Sequence, residues 1–166
     1  MKLRGLIFSF LVFSLISACG VYTPYGAQTS GAKTFSVDYF KPQTPLASPV
    51  VAQLFTEDLK DLVQRQSTLR LVDDNGELQF SGLITDYRVS PVGVQGDETT
   101  ARNRLTVTIQ VKYTNTLEPD LSFERPFTKF TDYDSALDLL TVEEELMEEI
   151  NEQITQEVFN ASLGNW

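Results

Sequence analysis

The single cysteine of this chain, Cys19, closes an N-terminal apolar run, and its position limits how everything after it can be held together. One thiol allows no internal disulfide, so the fold must rest on a hydrophobic core and its hydrogen bonds. The run begins with Lys2 and Arg4 and continues from Leu6 to Ile16, interrupted only by Ser9 and Ser14. That is the positive n-region and short apolar h-region of a secretory leader, and it falls short of the roughly 20 residues a spanning helix needs. Cleavage before Cys19 leaves 148 of the 166 residues, the length of one domain with a real core.

The leader ends Ile16-Ser17-Ala18-Cys19, which resembles the lipobox of bacterial lipoproteins. There the thiol carries a diacylglycerol, the chain is cut before the cysteine, and the new amino terminus receives a further acyl chain such as palmitate. Two or more acyl chains anchor stably where one would be marginal. The sequence therefore predicts a signal peptide over 1–18, a lipid-anchored flexible tether over 19–32 and a single domain over 33–166. Residues 20–32 are mostly small, aromatic or turn-forming and carry no charge, as suits a tether.

Of 13 basic and 23 acidic residues the leader takes two basic ones, so the mature chain holds 11 against 23, a net charge of −12. Nucleic acid is excluded as a partner by that balance, since it requires clustered Lys and Arg. There is no histidine, which removes Ser-His-Asp and Cys-His catalysis and the usual zinc and iron ligand sets. No cofactor is indicated.

Phe35, Val37 and Tyr39 alternate with polar neighbours, the period of a half-buried strand. Ser48 then Pro49 reads as a helix start, and Val51, Leu54, Phe55, Leu59, Leu62 and Val63 form one stripe of a helix over 49–67. Leu69–Val72 is a short strand, and Asp73-Asp74-Asn75-Gly76 is expected to turn it as a hairpin into a long strand from Leu78. In that strand the apolar phase slips from Leu78, Phe80 and Gly82 to Leu83, Thr85, Tyr87 and Val89, which suggests a β-bulge near Gly82. Leu105, Val107, Ile109, Val111 and Tyr113 make the cleanest alternation in the chain. A further strand carries Leu121, Phe123, Phe127 and Phe130, with Pro126 implying an edge position or another bulge. Val142, Leu146, Ile150, Ile154 and Val158 define a closing helix over 136–162, with a capping-box pattern at Thr141–Glu144. The order predicts an α+β fold in which two helices pack on one face of a four-stranded, mostly antiparallel sheet.

Few residues invite chemistry. The Asp73–Gly76 turn lacks the rest of a calcium loop, and the glutamates from Glu143 to Glu157 read as a solvated helix face. No paired acids stand at strand ends as a glycosidase would require. The basic residues are more informative because they are few. Arg88, Arg102 and Arg104 gather at the ends of two neighbouring strands around the 91–100 loop, and Lys112, Arg125 and Lys129 are expected to continue the cluster across the polar sheet face. In so acidic a domain a local basic patch would mark an anionic partner; the alternative is a set of solvated strand-face residues paired with neighbouring acids.

Several stretches together resemble the lipopolysaccharide-assembly lipoprotein family (LptE-like), in its Bacteroidota-type forms. They are Cys19-Gly20-Val21-Tyr22, Lys33–Phe40, Gly82–Tyr87, Asn103–Val107, Phe127-x-x-Phe130 and the closing acidic helix ending near Asn160 and Trp166. Asn103-Arg104-Leu105-Thr106 is the most specific of these. The resemblance implies two helices on a four-stranded sheet and no catalysis. It also implies a lipid-anchored protein on the periplasmic side of the outer membrane. There it would plug and help assemble the lipopolysaccharide-translocon β-barrel (LptD-like), and bind lipopolysaccharide.

Overall fold

Alternate apolar residues between 105 and 113 give one strand a fully apolar face, and in the computed structural model the remaining elements are arranged around it. The structure describes residues 27–93 and 101–164. In chain order the elements are β1 (Thr34–Val37), β2 (Lys41–Pro42), α1 (Pro49–Gln66), β3 (Arg70–Leu71), β4 (Leu78–Val92), β5 (Arg102–Asn115), a 3-10 turn (Pro119–Leu121), β6 (Phe123–Asp134) and α2 (Leu139–Leu163). Both helices cover one face of the sheet, as expected from the sequence, and the α+β class stands.

The sheet is larger and more mixed than the four antiparallel strands predicted. It has six strands in the order β3-β1-β4-β5-β6, with β2 also paired to β4. β4, β5 and β6 form an antiparallel meander, while β1 lies parallel to both β3 and β4. The hairpin expected at Asp73–Gly76 is therefore not formed, because β1 separates the two strands it would have joined. The turn carries the chain across β1 instead. Asn75 takes a left-handed φ of 54°, and the Gly76 N–H donates to Ser36 Oγ at 3.2 Å. A Cβ at Gly76 would collide with the backbone of Phe35 and Ser36, so the crossing needs glycine.

The bulge in β4 is also displaced from its expected place. Ile84 pairs with Ile109 and Asp86 with Thr108, so the extra residue is Thr85, not one near Gly82. As a result Ile84 is buried in the core and Leu83 turns to the opposite face, 39% exposed. Gly82 has a different task. A Cβ there would strike the Gln110 carbonyl oxygen and the Phe40 ring, which packs edge-on against Phe55 with centroids 4.9 Å apart. Pro126 resolves to the edge alternative, since β6 is the last strand and its register with β5 is unbroken.

α1 starts as predicted, with Ser48 Oγ accepting from the Val51 N–H. α2 starts at Leu139 rather than 136, and its cap is Asp138, whose Oδ1 accepts from the Leu140 N–H at 2.9 Å. The Thr141–Glu144 capping box is thus not used; Thr141 lies inside the first turn and donates to the Asp138 carbonyl. With Asp58 against Asn151 and Gln66 against Gln156, the two helices run in the same direction. Tyr87 on β4 hydrogen-bonds Glu143 at the start of α2. Burial, and then that carboxylate, hold the tyrosine hydroxyl protonated far above its ordinary range. Residues 27–32, the end of the expected tether, lie against the end of α2: Ala27 bridges Gly164, and the Gln28 N–H donates to the Leu163 carbonyl at 2.7 Å. Cys19 lies outside the described residues.

Candidate functional site

The open face of the sheet, opposite the helices, is where the sequence placed its basic cluster. Side chains alternate along a strand, so each inward residue of β5 is followed by an outward one. Arg104, Thr106, Thr108, Gln110 and Lys112 occupy the outward positions, and Leu105, Val107, Ile109 and Val111 the fully buried ones. The antiparallel register sets their neighbours. Arg104 stands between Ser90 and Asp132, Thr106 between Arg88 and Phe130, and Thr108 between Asp86 and Thr128.

Arg104 is held on this face by an ion pair and a ring contact. Its Nε and Nη2 grip the two oxygens of Asp132 at 2.7 and 2.9 Å, and its guanidinium lies 3.7 Å from the centre of the Phe130 ring. The bidentate bond and the ring stacking both use the planar guanidinium, which lysine would not supply. The Arg104 guanidinium bonded to Asp132 holds that carboxyl below its usual range, with Arg102 adding to the effect at longer distance. Phe130 is 49% exposed, so the pair presents a flat aromatic surface beside a charge.

The structure thus brings Arg102 and Arg104 together around Asp132. It places Arg88 on the adjacent strand, where it pairs with Asp86. Asp134 stands opposite Arg102. This is an arginine–aspartate ladder and not a bare positive patch. Two of the three arginines hold carboxylates, and any incoming anion must compete with them.

The expected extension of the cluster to Arg125 and Lys129 is corrected. Both sit at odd-numbered positions of β6, on the helix side of the sheet. Lys129 pairs with Glu157 of α2 at 2.8 Å, and Arg125 stacks over Phe123 and Phe127. Of the three residues expected to extend the cluster, Lys112 alone lies on the open face with Arg104. Sequence reasoning missed Asp132 and Phe130 as partners of Arg104. Their spacing of two on one strand was visible, but only the β5–β6 register shows that they bracket an arginine.

Among the described residues, no group of three or more acidic or thiol side chains is arranged to hold a metal ion. Nor is any described helix long and apolar enough to cross a membrane.

Comparison with solved structures places the chain near several proteins at low identity. The hypothetical protein CT253 from Chlamydia trachomatis is 7% identical with a TM-score of 0.53, covering 79% of this chain and 98% of that one. The rare lipoprotein B from Shewanella oneidensis is 10% identical with a TM-score of 0.47, covering 78% and 90%. A minor lipoprotein from Acinetobacter baumannii is 19% identical with a TM-score of 0.44, covering 80% and 97%. The first of these bears on the fold alone. No curated protein matches. The family model for lipopolysaccharide assembly, LptE, matches residues 32–162, from just before β1 almost to the end of α2. On that match, the chain belongs to the LptE lipopolysaccharide-assembly family.

Proposed function

We propose that this protein is a non-catalytic, lipid-anchored component of the outer membrane. It would plug the lipopolysaccharide-translocon β-barrel (LptD-like) from the periplasmic side and assist its assembly. The observation that carries this reading is the open sheet face. It is polar, stiffened by cross-strand pairs such as Arg104–Asp132 and Thr108–Thr128 at 2.9 Å, and left uncovered by the two helices. Large outer-membrane barrels have polar interiors, and a rigid polar surface is complementary to one. Anchoring through Cys19 fits the same arrangement, because the tether would reach the domain at the C-terminal end of α2, beside Ala27 and Gly164.

The test is recovery of the acylated, tagged protein from detergent-solubilised outer membranes. One large β-barrel co-purifying in about equal amount is the expected result. Recovery of the lipoprotein alone, with bound glycolipid, would replace this reading. A Cys19→Ser protein should lose the membrane and keep its fold, and loss of folded structure in it would contradict the separation of anchor from domain.

A second reading has its own support. Arg104 on Phe130, beside Arg102, is a surface suited to a phosphorylated glycolipid such as lipopolysaccharide, with the ring against sugar or acyl groups and the guanidinia against phosphate. In an acidic domain such binding would be local and weak. This reading predicts saturable lipopolysaccharide binding that charge reversal at Arg102 or Arg104 weakens.

A further inference from the structure

The helix layer has a feature that neither reading uses. Between α1 and α2 runs a groove of about 500 Å³, lined by Asp58, Leu62, Arg65, Glu148, Glu152 and Thr155. It continues toward the helix N-termini past Glu144 and Asn151. Four of these residues are carboxylates. Neighbouring acids on α1 have partners: Glu57 holds Lys60 at 2.9 Å, and Asp61 stands 3.9 Å from Arg65. Among the described residues, no basic side chain lies within ion-pair distance of Asp58, Glu144, Glu148 or Glu152.

Asn151 supplies the independent observation. It is 1% exposed and lines the groove beside Asp58. Its Nδ2 donates to Asp58 Oδ2 at 2.7 Å, and its Oδ1 is buried with no donor in the chain. A buried acceptor left unpaired costs free energy that a donor from outside would recover. Burial, reinforced by Asp61 and only partly offset by the Asn151 hydrogen bond and the more distant Arg65, holds the Asp58 carboxyl above its ordinary range. Four carboxylates against one arginine leave the groove net negative, and its buried unpaired atom is an acceptor.

We infer that the α1–α2 groove docks a lysine- or arginine-bearing segment of a partner protein, one basic side chain reaching Asp58 and Asn151 and others meeting Glu144, Glu148 and Glu152. A metal ion does not fit, because these carboxylates do not converge on one point. A long basic side chain does. Its alkyl stem can lie along Leu54 and Leu62 while its head, a donor without acceptor capacity, meets four carboxylates against one lining cation, Arg65. Complementary charge across such a contact favours the right partner and its rate of encounter. The inference stands independently of the barrel reading.

The experiment titrates fluorescein-labelled decalysine against the full-length protein in neutral detergent. Binding is followed by anisotropy, and the Asn151 side-chain amide by 15N NMR. Binding should saturate and shift the Asn151 amide. The double variant E148Q/E152Q should weaken it about tenfold, while D73N/D74N, which removes two exposed acids elsewhere, should change it less than about twofold. Adding D58N to the groove variant should weaken it further; the double variant carries the test if the triple does not fold. Equal weakening by both double variants, or an unmoved Asn151 amide at saturation, would overturn the proposal. So would displacement of the peptide by spermidine at equal cation concentration, which would assign the groove to a free polyamine.

Discussion

The two faces of the central strand β5 are made of neighbouring residues yet are held by different physics. Leu105, Val107, Ile109 and Val111 point inward and are completely buried under the helices. Arg104, Thr108 and Lys112 point outward and remain at least partly exposed. The inner face is ordered by removal of apolar surface from water, a non-directional force that tolerates approximate fits. The outer face is ordered by directional pairs across strands, each contributing little. One strand therefore contributes a run of core residues on one side and a cross-linked polar surface on the other.

The largest expected effect tests that division directly. Ile109→Ala removes a fully buried side chain and should cost about 2–5 kcal/mol, whereas Thr108→Ala next to it should stay within about 0.5 kcal/mol. Urea unfolding of both variants is the measurement. A comparable loss in Thr108→Ala would mean that the outer face is a second structural core, and the contrast would collapse. Gly82→Ala comes next. It forces a methyl group against the Gln110 carbonyl and the Phe40 ring and should destabilise by about 1–3 kcal/mol. An unchanged unfolding midpoint would show that β4 and β5 can separate there freely.

The sequence made the inner face legible and the outer face only partly so. Period-two and helical stripes identified β5, α1 and α2 because burial leaves its mark at every residue it touches. Ser48-Pro49 located the start of α1 since its cap is local. The failures lie where non-local pairing decides. Asn75-Gly76 looked like a hairpin turn, and its backbone does take the left-handed φ, but nothing nearby in sequence shows that β1 slots between β3 and β4. The bulge was misplaced by three residues because a single slip in phase reads the same wherever the extra residue lies between two apolar runs. The three arginines were found as a group. Pairing with neighbouring acids is the alternative the sequence leaves open, and Asp86 stands two residues from Arg88; Asp132 is 28 residues from Arg104 and meets it only through register.

Smaller effects distinguish the two faces by pH. Arg104→Ala should destabilise the fold slightly at neutral pH, through loss of a partly exposed bidentate pair and an aromatic contact. Asp132 has its pKa lowered in the folded state, so its contribution is fully present above the unfolded carboxylate pKa and is lost as pH falls through the lower folded value. The difference between Arg104→Ala and the parent should therefore shrink on acidification. If it stays constant down to the most acidic pH at which the fold survives, the stacking on Phe130 accounts for the effect and the ion pair does not.

Asp58 in the helix groove should show the opposite sign and the smallest size. Burial raises its pKa in the folded state, so ionising it opposes folding, and stability should decline as pH rises from the unfolded carboxylate pKa through the higher folded one. Asp58→Asn keeps an oxygen acceptor for the Asn151 Nδ2–H and removes the charge. It should stabilise the isolated protein above that window by a few tenths of a kcal/mol, discounted for the partial exposure of the site, and do nothing below it. Thermal melts at matched ionic strength across the window would read this. Destabilisation at neutral pH would mean that the carboxylate already has a compensating charge within the chain, and the groove would then have no need of one from a partner. Stabilisation joined to weaker binding of the basic peptide would show a residue kept at some cost to the fold for the sake of a contact outside it.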